Sequence, residues 1–187
     1  KAYEVARPTG VGVGRVIPQA GDDDYAKFLV GTVGARFDGI TVVLDCACGA
    51  TYRTGPQVFT SLGAKVIALN NENDGSRINV QCGSTKPQQL QAAVLEHRAQ
   101  LGIAFDGDGD RVIAVDEKGT ILDGDFIMGI CGLQLLADGV LPHQAIAATV
   151  YSNLGLLEAF RKAGGKVVVT DNGDRKVLAA MLEKGII

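Results

Sequence analysis

Three aspartates separated by single glycines, Asp106-Gly107-Asp108-Gly109-Asp110, with Arg111 directly after them, are the residues best suited to chemistry in this chain. Carboxylates at i, i+2 and i+4 project to one side of an extended backbone. The intervening glycines let that backbone curl and bring the oxygens together. Two unit charges 4 Å apart repel by about 4 kcal/mol at an effective dielectric of 20, so a trio of this kind needs a cation to hold. Three hard oxygen donors with no soft partner suit Mg²⁺, which keeps positions open for water or a phosphate oxygen. Asp106, Asp108 and Asp110 are therefore the candidate metal ligands. Arg111 is the candidate catalytic residue: its planar fork can take two oxygens of a metal-bound phosphate and stabilise transferring charge. Its simpler role is a salt bridge that balances the carboxylates.

Two other metal chemistries compete for the same loop. Counted from Asp106 as position 1, a calcium loop finds Asp108 at 3, Asp110 at 5 and Glu117 at 12. It fails at position 6, where Arg111 stands in place of the glycine the turn requires, and because both flanks read as strand. A phosphatase with Asp106 as nucleophile and Asp108 as acid is the second. It lacks the small hydroxyl residue expected just after the second Asp.

The loop must be placed by its surroundings, and these read as alternating strands and helices, hence an α/β sheet with crossover helices. Ile40–Cys46 is an almost unbroken apolar run, as expected of a strand covered on both faces. An amphipathic stretch from Gly55 to Leu62 is stopped by Gly63. Lys65–Leu69 is the next strand. Ser84 or Thr85 can cap a helix with Pro87 in its first turn, and Leu90, Ala93, Val94 and Leu101 mark its buried stripe. Leu101–Phe105 is a third strand, and the acidic loop follows it, at the strand end where open α/β sheets bind ligands. Val112–Val115 and Thr120–Leu122 flank Asp116-Glu117-Lys118-Gly119 as a hairpin. The pattern then restarts with a helix over Phe126–Ala137 and a strand over Ala145–Val150. Next come a helix over Leu154–Ala163 capped by Ser152, a strand over Lys166–Thr170, and a helix over Arg175–Lys184 ended by Gly185. Asp22-Asp23-Asp24 suits the positive end of a helix dipole. The fold class expected is three-layer α/β/α with a mixed sheet, followed by a truncated second domain of the same type. Residues 1–14 form a connector, 15–121 the domain with the acidic loop, and 122–187 the partial second domain.

Composition narrows the function. The 187 residues are 47% apolar and 21% charged, ordinary for a globular chain. A net charge of −3 with no basic cluster argues against nucleic acid as partner. Apolar runs such as Ala145–Val150 fall far short of the roughly 20 residues that cross a bilayer, so no membrane association is expected. The four cysteines, Cys46, Cys48, Cys82 and Cys131, read as reduced thiols of a cytoplasmic protein, because Cys46-x-Cys48 has no second cluster to complete a zinc site. His97 and His143 stand alone. Gly10-Val11-Gly12-Val13-Gly14 follows Arg7-Pro8 rather than a strand, which suits a flexible connector and not a dinucleotide loop.

The loop resembles the metal loop of the α-D-phosphohexomutase superfamily, and the chain is most similar to its bacterial phosphoglucosamine mutase branch. Carrying the resemblance are Val42–Tyr52 (VVLDCACGATY), Cys82–Leu90 (CGSTKPQQL), Leu101–Gly119 (LGIAFDGDGDRVIAVDEKG), Ser152–Leu156 (SNLGL) and Gly173–Arg175 (GDR). It implies a parent enzyme that interconverts glucosamine 6-phosphate and glucosamine 1-phosphate through a phosphoserine and a bisphosphate intermediate. It also implies Mg²⁺ on Asp106, Asp108 and Asp110, Arg111 beside the transferring group, and Asp174 and Arg175 facing a phosphosugar. None of Ser61, Ser76, Ser84 and Ser152 lies in the Ser-His context of the family's phosphoserine. The remaining domains of the parent are thus the implied partners, and this chain alone is expected to bind Mg²⁺ weakly without mutase turnover. Phosphomannomutase and phosphoglucomutase of the same superfamily, and a non-catalytic module that binds a metal or phosphosugar, are the alternatives. Two departures stand out: Cys48 occupies a position where the family has Asn, and Asp171 one where the glucosamine branch has Lys.

Overall fold

The computed structural model describes residues 7–15, 17 and 21–186, without the side chain of Asp22. Thus part of the connector and of the segment joining it to the first helix lies outside the described residues. Within it, Gly10–Gly12 forms one exposed 3-10 turn.

Five strands make the first sheet: β1 (Thr41–Asp45), β2 (Lys65–Leu69), β3 (Leu101–Phe105), β4 (Val112–Asp116) and β5 (Ile121–Leu122). They lie in the order β2-β1-β3-β4-β5, with β1 parallel to β2 and β3, and β4 antiparallel to its neighbours. Helix α1 (Asp22–Thr32) precedes it, and α2 (Thr54–Ser61) and α3 (Gln88–His97) cover it. The apolar run of β1 explains why it is central. Val42 and Leu44 face one side and join Cys46, Ala64, Phe59 and Phe105, whereas Val43 faces the other and joins Leu90, Val94 and Val115. With full burial of such a side chain stabilising by roughly 1.5–3 kcal/mol, both faces must be covered, and the layering is α/β/α. Helix α1 packs on α2 rather than on the sheet.

A second, two-stranded parallel sheet pairs β6 (Ala145–Thr149) with β7 (Lys166–Thr170). Helices α4 (Gly124–Ala137), α5 (Leu154–Lys162) and α6 (Asp174–Lys184) accompany it. Phe160, fully buried, centres a cluster with Leu141, Ile146 and Leu156.

Strand positions agree with the apolar runs; the caps differ. Helix α3 starts after Pro87, which occupies the N-cap without a side-chain bond, so neither Ser84 nor Thr85 caps it. The Ser84 backbone instead donates to the Phe105 carbonyl. Leu101 belongs to β3 alone. Asn153, not Ser152, caps α5, its side chain accepting from the Leu156 N–H at 3.0 Å. The Ser152 N–H is committed to a turn with Thr149. Asp123 caps α4, and α6 ends on Gly185 in a left-handed conformation.

Cys46, Cys48 and Cys82 are buried and Cys131 is exposed, all as free thiols. Burial pushes the Cys46 thiol up to about 12 and raises that of Cys82. Since the thiolate is the reactive form, DTNB is expected to titrate one thiol in the native chain and four in denaturant. Rapid native reaction of two or more would show that the turn after β1 is open.

Candidate metal centre

The carboxyl ends of β1, β2 and β3 form one edge of the first sheet, and the acidic loop sits there, between β3 and the antiparallel β4. Its backbone is not extended. Gly109 has φ +76°, and its N–H donates to the Asp106 carbonyl at 3.1 Å, which closes a turn over Asp106–Gly109. This curl brings one oxygen of each of Asp106, Asp108 and Asp110 within 4.8 Å of the others. Asp106 is buried at the base while Asp108 and Asp110 open to solvent.

Asp106 is held rigidly by the last residue of the loop. The Arg111 N–H donates to its Oδ1 at 3.0 Å, and Arg111 Nε donates to its Oδ2 at 2.9 Å, with a second guanidinium nitrogen 2.8 Å away. Burial alone would push the Asp106 carboxyl up. The Arg111 backbone and side-chain hydrogen bonds and its charge outweigh this and hold it below the usual carboxylate range. Asp110 is shifted the other way, first by partial loss of solvent and then by the negative charges of Asp108 and Asp106. An ionised base and a rim of mutually repelling carboxylates would both be favoured by a divalent cation between them. The donor set is all oxygen, which fits Mg²⁺ and not a thiolate-seeking metal.

Beneath this loop lies a residue whose role the sequence reading left unassigned. Asp45, at the end of β1, is completely buried. Its Oδ1 accepts from the Ala47 N–H and from Asn70 Nδ2, both at 3.0 Å, and its Oδ2 accepts from the Gly83 N–H at 2.8 Å. Hydrogen bonds to a charged acceptor contribute roughly 1.5–3 kcal/mol each. The sequence signal was a lone carboxylate closing an apolar run.

Around it the loops interlock. The Ala50 N–H donates to the Gly107 carbonyl at 2.8 Å, and the Asn79 N–H to the Ala47 carbonyl at 3.1 Å. Ala47 and Cys48 both lie in the left-handed region, at φ +53° and +50°. Asn tolerates that region better than other side chains with a Cβ, so the backbone at Cys48 would suit the Asn expected there from the resemblance.

Asp174 and Arg175 occupy the exposed first turn of α6, after β7, whereas the acidic loop belongs to the first sheet. The acidic loop unites four of the expected site residues, and these two belong to a different loop–helix junction. Asp171, in the same junction, pairs with Lys176 at 2.9 Å.

Comparison with known proteins decides the family. Residues 23–119 match the family model described as phosphoglucomutase/phosphomannomutase, alpha/beta/alpha domain II, and residues 123–187 match that of alpha/beta/alpha domain III. The chain belongs to the phosphoglucomutase/phosphomannomutase family. It is 48% identical over 182 residues to phosphoglucosamine mutase of Clostridium acetobutylicum, covering 97% of this chain and 41% of that protein. To phosphoglucosamine mutase of Symbiobacterium thermophilum it is 51% identical over 181 residues, covering 96% and 40%. The chain thus spans about two fifths of the length of these phosphohexomutase relatives. A solved phosphoglucomutase/phosphomannomutase family protein from Burkholderia thailandensis superimposes with TM-score 0.75 at 25% identity, over 89% of this chain and 36% of that one. Among the described residues no helix is long and apolar enough to cross a membrane.

Proposed function

We propose that this chain carries the cation-holding loop of a phosphoglucosamine mutase, one that interconverts glucosamine 6-phosphate and glucosamine 1-phosphate. The observation that carries the reading is the convergence of Asp106, Asp108 and Asp110 within 4.8 Å at the carboxyl edge of the sheet. The phosphoglucosamine mutases near 50% identical to the chain support the choice of amino sugar. On this reading residues 1–14 connect, 15–121 form the unit that bears the loop, and 122–187 form part of a second unit.

The three carboxylates would hold Mg²⁺, which supplies positive charge beside the oxygens of the transferring phosphoryl group. Arg111 keeps Asp106 ionised and oriented through its N–H and guanidinium. With 64% of its side chain exposed, it also presents N–H groups to an incoming phosphate. The nearby cleft lined by Ser84, Thr85, Arg111 and Val112 gives that phosphate a route to the guanidinium. Asp174 and Arg175, at the start of α6, are assigned to the phosphosugar. The phosphoryl donor has to come from outside this chain, because none of its four serines has the context of the family's phosphoserine.

An oxygen held by two guanidinium N–H groups is a poor nucleophile, so the Asp106 phosphatase receives no support from this geometry. Assay of the 187-residue chain with glucosamine 6-phosphate, a bisphosphate primer and Mg²⁺ is expected to show neither isomerisation nor release of inorganic phosphate. Calorimetry on the same sample should detect Mg²⁺. Turnover by the chain alone would overturn the proposed division of labour.

A further inference from the structure

We infer that Asp45 is a positioning residue for the cation loop, acting through the backbone of two other loops and touching neither cation nor substrate. The inference rests on the proposed metal site and extends it to a residue 61 positions away in sequence from Asp106.

The geometry carries it in two branches. In the first, Asp45 Oδ2 accepts from the Gly83 N–H at 2.8 Å. Gly83, at φ +71°, packs so closely that a Cβ there would stand 2.6 Å from the Phe105 carbonyl oxygen. The next residue, Ser84, donates its N–H to that carbonyl at 2.8 Å. Phe105 is the residue from which Asp106 emerges. In the second branch, Asp45 Oδ1 accepts from the Ala47 N–H, and the Ala47 carbonyl accepts from the Asn79 N–H. The Asn79 amide lies against Gly107, 2.9 Å from where a Cβ would sit. The same turn after β1 sends the Ala50 N–H to the Gly107 carbonyl. Asn70, from the end of β2, completes the set on Oδ1 and is itself braced by Gln89 at 3.0 Å. One buried charge thus fixes the segments that follow β1 and β2, and both grip the residues on either side of Asp106.

Why a carboxylate is needed follows from the donor count. Three N–H groups converge on two oxygens, and only an ionised carboxyl offers acceptors on both. Asparagine has nearly the same shape but puts an NH₂ where one of these donors points, so one branch must break.

Mn²⁺ binding to the full 187-residue chain, read by electron paramagnetic resonance, tests the inference. Groups that orient metal ligands without touching the ion typically change affinity by about 10–100-fold, and Asp45→Asn is expected to fall in that range. Leu90→Ala removes core packing on the α3 face of the sheet and serves as a destabilised control, with Mn²⁺ affinity expected within about twofold of wild type. Should Asp45→Asn not fold, Asn70→Ala removes one donor from the same carboxylate and is expected to weaken Mn²⁺ by several-fold. Wild-type affinity in a folded Asp45→Asn chain, or in Asn70→Ala where that variant carries the test, overturns the inference and leaves the metal site standing. An equal loss in Leu90→Ala also overturns it, since the effect would then be general loosening. Absence of Mn²⁺ binding by the wild-type chain overturns the metal site and this inference together.

Discussion

Asp108→Asn and Asp110→Asn are each expected to weaken Mg²⁺ binding by about 30-fold, and the double variant to abolish it at millimolar Mg²⁺. Both side chains are exposed, so the water limit of Coulomb's law applies: about 1 kcal/mol per pair of unit charges at 4 Å. A divalent ion doubles that to about 2 kcal/mol, and 1.4 kcal/mol is worth a factor of ten. The fold should tolerate both changes, because Asp108 and Asp110 face solvent at the rim and the buried Asp106 keeps its bonds to Arg111. Isothermal calorimetry gives the affinities, and the melting temperature without metal is expected to stay at or above wild type as like charges are removed. Unchanged Mg²⁺ affinity in either single variant would show that its carboxylate is not a ligand.

The largest loss of stability is expected from one methyl group at Gly49. A Cβ there would fall on the Gly107 backbone, 2.6 Å from its Cα, with main chain and not a movable side chain in the way. Overpacking of this kind costs roughly 1–3 kcal/mol or more, and Gly49→Ala is placed at the upper end because neither partner can rotate aside. The Ala50 to Gly107 hydrogen bond would be strained or lost with it. Urea denaturation should show the drop in midpoint, and Mg²⁺ affinity should fall as well, since the same backbone carries Asp106 and Asp108. A variant with wild-type midpoint would mean that these two turns are not packed together.

Much of this is legible in the amino-acid sequence. The strands Lys65–Leu69, Leu101–Phe105 and Lys166–Thr170 are short apolar runs between turn residues, and local pattern is enough to place them. The acidic loop stood out because three like charges fall within five residues, and the folded chain brings one oxygen of each within 4.8 Å. Caps were harder, since they depend on one residue of register. Pro87 takes the N-cap of α3, and Asn153 takes that of α5 while Ser152, one residue earlier, closes a turn with Thr149. The role of Asp45 could not be read locally. Its partners Asn70 and Gly83 lie 25 and 38 residues further on, and only the folded sheet edge gathers them. Cys48 stands out in the sequence only as a departure from the resemblance, and its φ of +50° adds a backbone constraint that the chain alone does not display.

Central to everything proposed is a single divalent ion shared by three aspartates. Anomalous scattering from crystals of this chain grown with MnCl₂ addresses it directly. The expected result is one strong peak ligated by an oxygen from each of Asp106, Asp108 and Asp110, with Arg111 still on Asp106. A peak elsewhere, or an ordered loop whose carboxylates hold only water at saturating Mn²⁺, would contradict it.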